Sequence, residues 1–150
     1  MRRSDAVSGT WFIVATSLPF WRSRSAPSVT YAALPDGRVL DAVHYRKGGR
    51  DRLVLGADTE VGDGFRWRGL TPFTRLTSSQ WRVVDVDESA DDPAECWAVT
   101  AFEKTLFTPA GVDVYCRAEG IAPAAMAAAR ETLTGDLAAF LPQLFEPARP

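Results

Sequence analysis

The chain has 150 residues, which is the size of one domain and enough to bury a full core without disulfides or metals. Hydrophobic residues make up 46% of it and charged residues 24%, which is ordinary for a soluble globular protein. The formal net charge of −2 gives no electrostatic footprint for nucleic acid or for an anionic membrane surface.

Targeting and metal signals are missing from the sequence. Two arginines near the N-terminus are not followed by an apolar segment, so a secretory signal is not predicted. No apolar run approaches the roughly 20 residues of a membrane-spanning helix, so we expect a cytoplasmic protein without stable membrane insertion. The single histidine excludes a multi-histidine metal centre, and the two cysteines lack the spacing of a zinc site. Neither a metal nor a cofactor is predicted.

The first strand is predicted where Gly9-Thr10-Trp11 opens an apolar run that ends at Ala15. A long connection, residues 18–27, follows, and its prolines interrupt the strand pattern. Residues 28–34 and 38–46 then flank Pro35-Asp36-Gly37, a turn in which proline presets one dihedral angle and glycine accepts a positive φ. This pattern predicts a hairpin.

Further strand-like runs follow with short turns between them, at residues 52–58, 65–69, 80–87, 96–102 and 112–117. Eight such runs without an intervening helix predict an antiparallel sandwich or a closed barrel. One helix is predicted after them, over about residues 122–142, because Pro123 suits a first turn and an alanine-rich run follows. Gly135 is able to bend or split this helix, and Pro142 disfavours its continuation.

The order of these elements, together with the Gly-x-Trp opening, resembles the lipocalin family, and bacterial lipocalins in particular, over roughly residues 9–145. The resemblance implies one all-β domain, an eight-stranded up-and-down barrel over about residues 9–117 with the helix packed outside. It also implies that Trp11 closes one barrel end, that Gly9 turns the chain into the strand, and that Arg117 packs across the tryptophan ring. No tyrosine follows Asp85 or Asp87, where the family often carries a Thr-Asp-Tyr-like motif.

Strand alternation, combined with the resemblance, predicts which side chains face the barrel interior and bind a ligand there. The alternative is that these large side chains fill the barrel. We hypothesise that Trp67→Ala would enlarge or abolish the site. The candidate ligand-binding residues are Ile13, Ala15, Tyr31, Ala33, Val39, Asp41, Val43, Val54, Phe65, Trp67, Trp97, Asp113 and Tyr115.

Other residues are expected to face outward. Val112, Val114 and Cys116 form an apolar stripe on the last strand, and the C-terminal helix is predicted to cover it. His44 has the parity opposite to Asp41 and Val43, so we expect a surface histidine rather than a haem ligand. Cys96 is predicted to lie near Cys116 across a hairpin, either as two buried thiols or as a disulfide.

The resemblance implies non-covalent binding or transport of a small hydrophobic ligand inside the barrel, such as a fatty acid, an isoprenoid or an aromatic metabolite. An enzyme, an isomerase or cyclase, is the alternative, with Asp41 or Asp113 acting beside Tyr31, Tyr45 or Tyr115. A third possibility is a protein contact through the loop aromatics Phe20, Trp21 and Phe73. A monomer or weak homodimer without nucleic acid is expected.

Overall fold

Eight antiparallel strands form a closed barrel in the computed structural model, which describes residues 5–72, 74–75 and 77–149. Each strand pairs with the next along the chain, and the last strand pairs with the first. The predicted up-and-down barrel is therefore confirmed. The strands are β1 Gly9–Thr16, β2 Ser25–Ala33, β3 Val39–Lys47, β4 Arg50–Val61, β5 Gly64–Gly69, β6 Ser78–Asp87, β7 Trp97–Phe102 and β8 Gly111–Cys116.

The β2–β3 turn forms at the proline, aspartate and glycine of the predicted hairpin. Gly37 has a φ of 88°, which side-chain-bearing residues rarely adopt. Asp36 accepts hydrogen bonds from the backbone N–H and from Nε of Arg38, and these bonds fix the turn. Two-residue turns also join β3 to β4 and β4 to β5.

The two ends of the barrel differ. The β1–β2, β3–β4, β5–β6 and β7–β8 connections meet at one end, which we call the mouth. The opposite end, which we call the closed end, carries the 3-10 turn Asp5–Val7 before β1 and the 3-10 turn Pro93–Glu95 before β7. Another 3-10 helix, Pro19–Ser23, lies in the β1–β2 connection at the mouth.

The barrel is filled near its closed end. Trp11, Val39 and Phe65 are buried in one interior cluster, and Phe65 stacks on Trp81 with ring centroids 4.6 Å apart. The interior is therefore filled by large side chains at the closed end, whereas a cavity remains nearer the mouth. The two alternatives for the interior, a filled barrel and a ligand cavity, each describe one part of it.

A second apolar cluster lies outside the barrel, beneath the C-terminal region. Val112, Val114 and Cys116 of β8 pack there against Ala129 and Leu133, so the outward stripe on the last strand is covered as predicted. The helix is shorter than predicted. It consists of α1, Pro123–Glu131, and a separate 3-10 helix, Gly135–Gln143, because Gly135 adopts a φ of 58° between them.

The chain returns to the mouth after the 3-10 helix. The backbones of Thr16 and Phe145 exchange two hydrogen bonds, and Ala26 donates one to the carbonyl of Ala148. Both ends of the β1–β2 connection are thus tied to the C-terminal segment. None of the helices among the described residues has the length and hydropathy needed to cross a bilayer.

Candidate ligand-binding cavity

A cavity of about 390 Å³ lies between the filled part of the barrel and the mouth. Its walls come from the inward faces of β1, β2, β3 and β8, which contribute Ile13, Val29, Val43 and Tyr115 among others. Its volume is in the range of small-molecule sites. Most of the lining is apolar or aromatic, so this space suits a compact apolar ligand.

The β1–β2 connection covers part of the cavity. Leu18, Pro19, Phe20 and Trp21 line it from the mouth side. Trp21 is buried and packs edge-to-face on Tyr45, with ring centroids 5.6 Å apart. The connection therefore forms a lid whose apolar side faces inward.

Two buried carboxyl groups lie close together in the barrel interior. Asp41, which lines the cavity, and Asp58, which does not, come from β3 and β4, and each affects the pKa of the other. Burial raises the pKa of Asp58 to about 6, and hydrogen bonds with Asp41 and with Trp81 Nε1 oppose that rise. Burial, followed by the charge of Asp58, raises the pKa of Asp41 well above its usual range.

A third carboxyl group faces the cavity from β8. Asp113 is buried, and its Oδ1 accepts a hydrogen bond of 2.6 Å from the hydroxyl of Thr16. Burial raises the pKa of Asp113 to about 7, although the hydrogen bond from Thr16 favours the ionised form. This carboxyl group therefore changes charge near neutral pH.

The hydroxyl groups of two tyrosines meet between these acids. Tyr31 and Tyr115 are hydrogen-bonded at 3.0 Å, and both side chains line the cavity. Burial raises the pKa of both tyrosines well above the usual value, so both hydroxyls keep their protons at neutral pH. The wall thus offers hydroxyl and carboxyl groups within an aromatic enclosure.

The charges around the cavity are of one sign. Asp41, Asp113 and Glu103 line it, and no arginine, lysine or histidine of the described chain does. An anionic group of a ligand would therefore have no counter-ion in the lining, and its charge would oppose the ionisation of Asp113. A ligand with a hydroxyl or amine donor would find acceptors, and the rest of the surface would contact its apolar body.

The cavity brings together six of the thirteen predicted ligand-binding residues. These are Ile13, Tyr31, Asp41, Val43, Asp113 and Tyr115. Four others, Val39, Val54, Phe65 and Trp67, pack within the barrel core but do not line this cavity. The indole ring of Trp67 lies over Gly56 and does not line this cavity.

Three predicted residues lie elsewhere. The β1 ladder to β8 shifts between Ile13 and Ala15, so Ala15 joins the outer cluster instead of following Ile13 inward. Trp97 pairs directly with the outward Cys116 and therefore shares its face. Ala33 is exposed, because it lies at the end of β2 beside the closed-end turn.

Several cavity residues were not predicted. Val29 shares the parity of Tyr31, so strand alternation was a sufficient signal for it. Asp58, which is buried but does not line the cavity, shares the parity of Val54. The lid residues Leu18 and Pro19 and the β7–β8 residues Phe107 to Pro109 lie in loops. No periodicity in the sequence indicates the conformation of such loops.

The closed end is capped by an arginine and a tryptophan. The guanidinium of Arg117 lies over the Trp11 ring, 3.6 Å from its centroid, and donates to the carbonyls of Ser8 and Thr10. It also pairs with Glu88. A Cβ added to Gly9 would lie 3.1 Å from this guanidinium, and the φ of Gly9 is 94°.

The histidine, the two cysteines and, among the described residues, the loop aromatics singled out in the sequence lie outside the cavity or only at its lid. His44 is partly exposed on the barrel exterior, and its Nε2 lies 3.2 Å from Oδ1 of Asp51. Cys96 and Cys116 are buried free thiols, and burial raises the pKa of both. Of the proposed contact aromatics, Phe20 is exposed whereas Trp21 is buried and unavailable, and Phe73 lies outside the described residues.

Comparison with solved structures places the fold among known barrels. The siderocalin Ex-FABP, which functions through dual ligand specificities, superposes with a TM-score of 0.65 at 16% identity, over 97% of this chain and 95% of that one. Apocrustacyanin C2 superposes with a TM-score of 0.73 at 9% identity, over 97% of this chain and 78% of that one. Lobster apocrustacyanin A1 superposes with a TM-score of 0.69 at 11% identity, over 97% of this chain and 79% of that one. These likenesses confirm the lipocalin resemblance at the level of the fold.

Sequence comparison adds nothing to this assignment. No protein-family model matches the chain, and no curated protein sequence does either.

Proposed function

We propose that this protein binds a small, largely apolar ligand in the cavity beneath the lid, and that the ligand carries a hydroxyl or amine donor at its buried end. The observation that carries the proposal is the cavity of about 390 Å³, in which an apolar wall surrounds Tyr31, Tyr115 and the buried carboxyl groups of Asp41 and Asp113. The dual ligand specificities of the siderocalin Ex-FABP, a barrel of the same fold, support it.

The acids discriminate among the predicted ligand classes. A fatty acid would bring its carboxylate towards Asp41 and Asp113 without a counter-ion in the wall. An isoprenoid alcohol or an aromatic metabolite with a donor group would instead hydrogen-bond to them. We therefore propose one of the latter two classes, and we rank the fatty acid last.

The first experiment is native mass spectrometry of gently purified protein, followed by solvent extraction and identification of what is released. We expect an adduct of a few hundred daltons, the mass that a cavity of this size accommodates. An extracted anionic lipid would contradict the ranking. If no adduct is found, titration with the neutral apolar dye Nile red tests whether the cavity binds at all.

Matched variants locate the binding site. Val43→Trp places a large ring inside the cavity, whereas Ala42→Trp places the same ring on the outer face of the same strand. We expect Val43→Trp to reduce Nile red affinity at least tenfold and Ala42→Trp to leave it nearly unchanged. Equal effects of the two variants would place the ligand outside the barrel.

Catalysis is a second candidate function, and one observation favours it. Asp113 lines the cavity beside Tyr115, and burial raises its pKa to about 7, which suits a proton-transferring group. The extracted ligand decides between the two functions. If the protein is a carrier, the extracted ligand stays unchanged on incubation with it, and the Asp113→Asn and Asp41→Asn variants keep most of the affinity for that ligand. If the protein is an enzyme, it converts the ligand, and these variants lose turnover.

A further inference from the structure

The mouth carries exposed apolar side chains. Leu106 and Phe107, adjacent in the β7–β8 connection, are 96% and 84% exposed. The other exposed large apolar residues of the described chain are Phe20 in the lid, Leu53 near the start of β4, and Leu70 directly after β5. All of them lie at or near the mouth, and none lies at the closed end.

Basic side chains surround these apolar residues. Arg46, Lys47, Arg50 and Arg52 lie on both sides of the β3–β4 turn. Asp51 is the acidic residue of this turn, and it lies 3.2 Å from His44 and 4.0 Å from Arg46. The positive charge of the turn therefore exceeds its negative charge.

Other mouth connections add to this positive charge. Arg22 and Arg24 lie in the lid, Arg75 in the β5–β6 connection and Lys104 in the β7–β8 connection. Arg24 stacks on the Phe20 ring, 3.6 Å from its centroid. Glu103 and Glu146 are the acidic residues nearby, and they do not outweigh the cations.

The closed end has the opposite charge. The segment from the end of β6 to the start of β7 contains Asp85, Asp87, Glu88, Asp91, Asp92 and Glu95. Arg117 is the cation beside this segment, and it is already paired with Glu88. The barrel is therefore polarised along its axis, basic at the mouth and acidic at the closed end.

We propose that the mouth docks onto an anionic lipid surface. Leu106 and Phe107 enter the interfacial region while the surrounding lysine and arginine side chains contact lipid phosphates. The acidic closed end is repelled by the same surface, which orients the barrel with its cavity towards the lipid. Phe107 also lines the cavity, so the docking loop lies at the ligand's route of entry.

Charge and shape favour this occupant over a protein. The apolar side chains lie on three connections and on β4 around an opening, and only Leu106 and Phe107 are adjacent, so they do not form the continuous flat core of a protein interface. A second copy docking mouth to mouth would bring two basic rims together. A lipid surface is deformable and supplies the complementary negative charge.

The test is co-sedimentation with phosphatidylcholine vesicles, with and without phosphatidylglycerol, at low and high salt. We expect binding that requires phosphatidylglycerol and weakens with salt. Leu106→Ser/Phe107→Ser should weaken it at least tenfold. Lys47→Glu at the mouth should weaken it roughly thirtyfold, whereas Arg130→Glu on the outer helix, with the same charge change, should have a much smaller effect.

A second measurement reports orientation. A fluorophore on Leu106→Cys should shift to shorter wavelength with phosphatidylglycerol vesicles, and one on Gly120→Cys near the closed end should not. The proposal is overturned if binding does not need phosphatidylglycerol, if the two charge reversals act equally, or if both fluorophores respond alike. A concentration-dependent mass that Leu106→Ser/Phe107→Ser abolishes would assign the mouth to a second copy. These outcomes are independent of whether the cavity binds Nile red.

Discussion

Trp11 and Arg117 act as one unit at the closed end. The guanidinium covers the ring and bonds to two carbonyls, so its loss removes a cation–π contact and two charge-assisted hydrogen bonds to the exposed backbone of Ser8 and Thr10. We expect Arg117→Ala to lower the free energy of unfolding by about 2 kcal/mol. Arg117→Lys should recover little, since an ammonium group lacks the planar fork.

Urea unfolding measures this effect. Arg130→Ala, on the exposed side of α1, is the control and should change stability by less than about 0.5 kcal/mol. Similar losses in the two variants would show that the cap contributes nothing beyond an ordinary surface arginine.

Asp113 is expected to destabilise the folded chain at neutral pH. Its pKa of about 7 means that the folded state resists the ionisation that the unfolded chain undergoes near pH 4. We expect Asp113→Asn to raise stability by roughly 2–4 kcal/mol at pH 8 and to change it little at pH 4, because asparagine still accepts from Thr16. Denaturation at the two pH values, with exposed Asp91→Asn as control, checks this. Equal effects at both pH values would contradict it.

At the scale of strands, Gly56 and Trp67 are a matched pair. A Cβ on Gly56 would lie 1.9 Å from Trp67 Nε1, so β4 accepts the indole only because the glycine has no side chain. We expect Gly56→Ala to lower stability by roughly 2 kcal/mol through overpacking, and to cost far less in a Trp67→Ala background. Gly120→Ala, which meets no atom within 4 Å, is the control.

A double-mutant cycle provides the measurement for this pair. A coupling free energy near zero between the two substitutions would mean that the strand relaxes away from the indole.

Strand order and turns were predictable from the sequence because each depends on local patterns. The hairpin at Gly37 follows from residues within one turn, and the outward stripe of β8 follows from alternation. Alternation failed where the ladder is interrupted, as in β1, where the shift after Ile13 sends Ala15 outward. A bulge depends on the partner strands, so a single strand's sequence did not reveal it.

At the scale of the whole molecule, the three interior acids determine how stability varies with pH. Their pKa values are raised in the folded state, so the folded chain holds protons that the unfolded chain has released between about pH 4 and pH 7. Stability from these groups is present below pH 4 and is lost as pH rises through 6 and 7. Asp36 and Asp87 have lowered pKa values and act oppositely, losing their contribution as pH falls below 4.

We therefore expect the melting temperature to be highest at about pH 4 to 5 and to fall towards pH 8. Calorimetry across this range measures it. In Asp41→Asn/Asp58→Asn/Asp113→Asn the fall should largely disappear, and an unchanged pH profile in that variant would assign the dependence to other groups.

Net charge was the least informative quantity at this scale. A value of −2 predicts no attraction to an anionic surface, yet the chain alternates between ends with every strand. Basic turns therefore lie at the mouth and acidic turns at the closed end, and the net charge of the whole chain does not reveal this separation of charge. The sequence contains this information once the strand order is known, because alternate turns share an end.

The C-terminal segment holds both ends of the lid through Thr16 and Ala26, and Arg22 of the lid lies 4.0 Å from the centroid of the Phe145 ring. Opening the lid therefore requires breaking contacts with the C-terminal segment, which itself does not line the cavity. A weaker tether would speed entry and escape alike, so an altered tail would change the residence time of the ligand while leaving its equilibrium affinity nearly constant.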